Sequence, residues 1–128
     1  MKNGMENNFS KSKIFIDVFI FIFFAILSLI VRWHSFSIRI VDWDETLYYQ
    51  WAKDLLTGIL PYTQIIENKP IGIGLVYAGA FLLFGKSMFS VRILAWLSAT
   101  VSSYLLYLIG KNILPNKRTL GLLAGSLY

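Results

Sequence analysis

The sequence contains no cysteine and a single histidine, His34, in 128 residues. Without a thiol there is no disulfide, no thiolate nucleophile and no cysteine-ligated metal centre. One imidazole does not suffice for a histidine zinc site, and a Ser-His-Asp triad is not expected around it. Charge is also sparse: 15% of the residues are Asp, Glu, Lys or Arg, against 56% apolar. That balance belongs to an integral membrane protein rather than to a water-soluble domain. The net charge is +5, but the basic residues stand at the edges of apolar runs and form no stripe. They read as membrane-edge charges, and no nucleic-acid partner is expected.

What is present is a series of apolar runs. Residues 1–13 are polar and basic and read as a cytoplasmic tail. "IFIDVFIFIFFAILSLIV", residues 14–31, carries one charge, Asp17. With Arg32 and Trp33 it predicts a first membrane span over 14–33, about 30 Å long at 1.5 Å per residue. The run is longer than a signal-peptide core and no A-x-A site follows, so an uncleaved anchor is expected. "RWH" at 32–34 reads as an interfacial belt.

A hydrophilic loop follows over 34–70. Within it Leu47, Tyr48, Trp51, Ala52, Leu55 and Leu56 recur at helical spacing. They predict an amphipathic helix over about 44–57, lying in the membrane plane. Asp42 or Asp44 can cap its start and Gly58 can end it. Further spans are expected over 71–85, opened by Pro70, and over 90–110, both with small residues at four-residue spacing. A last run from 119 predicts the start of a fourth span. The chain is therefore expected to be the N-terminal part of a larger polytopic, all-α protein. With the N-terminus cytoplasmic, Lys2, Lys11, Lys13, Lys86 and Arg92 fall inside. Arg32, Arg39, Lys53, Lys69, Lys111, Lys117 and Arg118 fall outside, a balance that runs against the positive-inside rule. The flanking Lys11 and Lys13 nevertheless favour that orientation.

The chemistry, if any, belongs to "DWDETLYYQWAKDLL", residues 42–56. Asp42 and Asp44 spell D-x-D, a divalent-metal candidate whose oxygen ligands suit Mg²⁺ or Mn²⁺. The nucleotide-binding α/β domain that usually accompanies that motif is missing. A glycosidase-like acid/base pair is disfavoured, because adjacent Asp44 and Glu45 diverge by about 100° on a helix. A single general base fits better. A carboxylate at the membrane surface, partly dehydrated by Trp43, Trp51 and nearby tyrosines, can take a proton from an acceptor hydroxyl. A phosphate leaving group then needs a cation, and Lys69 in "ENKPIG" is suitably placed. Against all of these, the acidic residues can simply favour a helix N-terminus and Lys69 can simply snorkel.

The order of "DWDETLYYQWAKDLLTGILPY", "ENKPIG", "FGKSMFSVRIL" and "LLYLIGKNI" resembles the N-terminal part of membrane-embedded glycosyltransferases of the GT-C fold. These use polyprenyl-phosphate sugars and include protein O-mannosyltransferases and lipid A aminoarabinose transferases. The resemblance implies an inverting transfer from a lipid-linked sugar to a protein, lipid or glycan hydroxyl on the extracytoplasmic side, in a bacterial plasma membrane. By position it implies Asp44 as general base, Glu45 as a supporting residue and Lys69 at the donor phosphate. Asp42, Tyr62 and Glu67 are implied to line the same cavity. Arg92 matches a recurring basic position, but the expected topology puts it at the opposite membrane face in a structural role. No cofactor is firmly implied beyond the divalent-metal candidate. Many relatives carry K-P-P where this chain has Lys69-Pro70-Ile71. The segment alone is expected to be inactive, since later spans supply most of the donor cavity. The alternative is a small non-enzymatic membrane protein, or truncated gene product, that binds lipid or partner helices.

Overall fold

A computed structural model describes residues 2–38, 42–60, 62–63, 69–113 and 118–128, with side chains from residue 14 onward. The described residues are helical and contain no strand. The helices are α1 (Lys2–Ser37), α2 (Trp43–Leu56), α3 (Gly72–Phe84), α4 (Met88–Ile113) and α5 (Arg118–Leu127). The chain divides into two compact units. The first comprises Met1–Arg32 and Trp96–Tyr128, and the second Trp33–Ala95.

Among the described residues, two helices are long and apolar enough to cross a membrane, Ile14–Ser37 within α1 and Met88–Ile113. The apolar part of α1 leaves Phe15, Phe19, Ile30 and Val31 largely exposed. Such a surface is tolerable only against lipid or another apolar partner. α1 also continues through the polar stretch from Lys2. α3 lies within the expected span over 71–85. It has 13 residues and so measures about 20 Å, short of a hydrocarbon core of about 30 Å. Its end is set by Gly85 at φ +93°, whose N–H bonds Phe81 O at 3.0 Å. A left-handed residue stops the helix there.

In the first unit, α1 and α4 pack antiparallel. Trp96 Nε1 donates to Ala25 O at 2.9 Å, and Lys111 Nζ donates to Asp17 Oδ1 at 2.8 Å. Phe24 and Tyr107 are buried between them, with Ile20 alongside. α5 lies against both helices through Gly121 and Gly125. A Cβ at Gly121 would stand 2.7 Å from Tyr107 O, and one at Gly125 would stand 2.5 Å from Phe24 Cζ. No larger residue fits that backbone approach, which is the G-x-x-x-G logic of helix association in lipid.

The second unit is built on aromatic contacts. α2 lies on α3 with Tyr48 against Tyr77, ring centroids 5.8 Å apart, and Tyr49 against Phe81, 5.1 Å apart. Ala52, Ala80 and Phe81 form the fully covered centre. The α3–α4 turn is closed by buried Ser90, whose Oγ lies 3.0 Å from Phe84 O and 2.5 Å from Gly85 O. Its hydroxyl gives those helix-end carbonyls the donor they would otherwise lack.

Candidate active site

The site begins with a helix cap. Asp42 has extended backbone and its Oδ1 accepts from Trp43 N at 2.6 Å. The α2 C-cap is Thr57, followed by Gly58 at φ +83°. Asp44 and Glu45 fall in the first turn, where the helix dipole stabilises negative charge.

These neighbours point to different cations, as 100° of helical rotation requires. Asp44 Oδ1 accepts from Lys69 Nζ. Glu45 takes both ends of the Arg92 guanidinium, Oε1 from Nη1 at 2.5 Å and Oε2 from Nη2 at 2.7 Å. The two pairs differ in setting. The Asp44 and Lys69 side chains are 41% and 31% exposed, whereas those of Glu45 and Arg92 are 16% and 11%. The bidentate, mostly buried pair fixes geometry. The more open one leaves a carboxylate and an ammonium within reach of a ligand.

Lys69 is held from several sides. Its Nζ lies 5.8 Å from the centre of the Tyr48 ring, and its backbone O accepts from Tyr62 Oη at 2.5 Å. Tyr62 stands at φ +67°, a conformation that costs a non-glycine residue about 1–2 kcal/mol. Its ring meets Trp51 edge-on, 5.3 Å between centroids. Trp51 is buried and rests on Gly74, where a Cβ would come within 3.3 Å of its own Cβ. The chain Gly74–Trp51–Tyr62–Lys69 therefore sets where the ammonium can be.

Several expectations need adjusting. Arg92 does not sit away from the acidic residues; it clasps Glu45. Its placement at the opposite face rested on the expected span over 71–85, in which α3 has 13 residues. Trp43 is 81% exposed, so Trp51 alone of the two supplies packing. Of the two cap candidates, Asp42 and Asp44, Asp42 is the N-cap of α2. Glu67 lies outside the described residues. Among the described residues, no three His, Asp or Glu side chains gather in a metal-ligand group.

Residues 68–128 match the family model for dolichyl-phosphate-mannose-protein mannosyltransferase. The resemblance read from the sequence is thus matched over that stretch, which supports a mannosyltransferase-like glycosyltransferase at the level of the family. The matched stretch includes Lys69 and Arg92 and begins after Asp44 and Glu45. No curated protein and no solved structure matches the chain.

Proposed function

We propose that this chain forms the loop-bearing part of a membrane glycosyltransferase that moves a sugar from a polyprenyl-phosphate donor to an acceptor hydroxyl on the extracytoplasmic side. The observation that carries the reading is the Asp44–Lys69 pair, a base and a phosphate-binding cation in contact at one helix N-terminus.

The roles follow from chemistry. The acceptor oxygen attacks the anomeric carbon while its proton passes to the Asp44 carboxylate. The bond from that carbon to the phosphate oxygen breaks, and the polyprenyl phosphate leaves with the electron pair. A phosphate leaves without needing a proton, so a fixed positive charge suffices to stabilise it, and Lys69 is that charge. Attack opposite the leaving group inverts the centre. Glu45, locked to Arg92, is a positioning residue that holds the α2 N-terminus so that Asp44 faces the acceptor. Tyr62 is a positioning residue for Lys69 through its bond to the Lys69 backbone O.

The test is Asp44→Asn in membranes carrying the protein, assayed with a radiolabelled polyprenyl-phosphate sugar and an acceptor. The amide cannot take a proton, so transfer is expected to fall by about 10²–10⁴-fold, with insertion unchanged. Wild-type turnover in that variant would remove Asp44 from the mechanism.

A further inference from the structure

We propose that the indole N–H of Trp51 is a second donor to the phosphate of the lipid-linked sugar, covered by the Tyr62 ring until that phosphate arrives. The inference rests on the donor reading of the Asp44–Lys69 pair and adds a residue to it.

The first observation is an unused donor. Trp51 is 1% exposed, and among the described residues no acceptor meets its Nε1. An indole N–H can only donate. Buried and unpaired, it destabilises the resting fold, whereas a phenyl ring in its place leaves no such group unmet. The indole is also fixed. An added Cβ on Gly74 would come within 3.3 Å of the Trp51 Cβ and 3.4 Å of its Cε3. Nε1 belongs to the other edge of the ring system, away from that contact.

The second observation is the cover. Tyr62 meets the indole edge-on, 5.3 Å between centroids, and is itself 43% exposed. Its backbone stands at φ +67°, where a side chain crowds the following carbonyl. The resting contact of Tyr62 with Trp51 thus combines a strained backbone with an unpaired donor. Both are relieved when the Tyr62 backbone relaxes, its ring leaves, and an acceptor oxygen replaces it. The Tyr62 hydroxyl donates to the Lys69 backbone O, so a phosphate that draws the Lys69 ammonium pulls on the same tether.

The third observation is direction. Asp44, Tyr48 and Trp51 stand at i, i+4 and i+7 of α2, along one face of the helix. Trp51 is about 10 Å from Asp44 along the axis. Between them, Lys69 Nζ is bonded to Asp44 and lies 5.8 Å from the centre of the Tyr48 ring. On the proposed mechanism the acceptor oxygen stands about 3 Å from the Asp44 carboxylate. The anomeric carbon stands about 3–3.5 Å beyond that oxygen, and the phosphate follows on its far side. A line of displacement along this face brings the phosphate past Lys69 to the indole. An anionic oxygen is a stronger acceptor for that N–H than a neutral one.

The test is equilibrium binding of radiolabelled undecaprenyl phosphate to the full protein in lipid nanodiscs. Undecaprenol, which lacks the phosphate, is the reference. Trp51→Phe keeps an aromatic ring and removes the N–H. It is expected to weaken undecaprenyl phosphate about tenfold or more, with undecaprenol binding unchanged and the melting temperature unchanged or higher. A second variant carries benzothienylalanine in place of Trp51, so that sulfur replaces the N–H in a ring system of the same shape. The same loss is expected. Wild-type affinity for undecaprenyl phosphate in this second variant would overturn the inference and leave the Asp44–Lys69 reading standing. A lowered melting temperature in it would also overturn the inference, since the N–H would then serve the resting fold. If the wild-type protein shows no preference for undecaprenyl phosphate over undecaprenol, the donor reading itself fails, and this inference with it.

Discussion

The two units solve the problem of holding helices together in different ways. In the unit formed by Met1–Arg32 and Trp96–Tyr128, α1 and α4 meet through rings and one ion pair, and α5 is seated by removing side chains, with Gly121 and Gly125 letting backbones touch. In the unit Trp33–Ala95, contact is made by large rings and by two ion pairs. Close backbone approach suits surroundings where apolar burial between helices gains little over lipid contact. Ion pairs and tyrosines suit the headgroup level, where polar ends can meet water. On the proposed function, the contrast puts scaffold in one unit and chemistry in the other.

Asp44→Asn tests that division most severely. It is expected to lower transfer by about 10²–10⁴-fold. Because the Asp44–Lys69 pair is substantially exposed, the same change is expected to cost about 1 kcal/mol or less in stability. Arg92→Met is expected to behave in the opposite sense, as a folding lesion. It removes the guanidinium from the poorly exposed Glu45 carboxylate, at a cost of about 3 kcal/mol in denaturant melts. Arg92→Lys keeps charge but not the two parallel bonds, and should fall between. If Arg92→Met left stability intact, the second unit would not depend on its ion pairs.

In the first unit, Gly125→Ala adds one methyl where Phe24 and the Ser103 backbone O already stand. Overpacking of this kind costs about 1–3 kcal/mol and should appear as a lower melting temperature in detergent. An unchanged melting temperature would remove the close-approach account of α5.

What the sequence made legible was local. The alternation of Leu47, Tyr48, Trp51, Ala52, Leu55 and Leu56 marks α2, and Asp42 and Gly58 mark its ends, because caps and periodicity act within a few residues. The divergence of Asp44 and Glu45 follows from helical geometry alone. The Glu45–Arg92 pair spans 47 positions and has no local signature. The nearest signal to it is the brevity of the apolar run before Gly85, which forms a helix of 13 residues. The role of Tyr62 depends on a left-handed backbone that no propensity scale assigns to tyrosine. The packing of Gly121 and Gly125 depends on which helices they meet, and a spacing of four cannot name its partner.

The contact between Asp44 and Lys69 also bears on what an empty site does. On the proposed mechanism, the group able to deprotonate a hydroxyl is occupied by an ammonium until a phosphate draws that ammonium away. On that mechanism the arrival of the donor is what uncovers the base, and the salt bridge that shapes the resting loop favours the order lipid first, acceptor second.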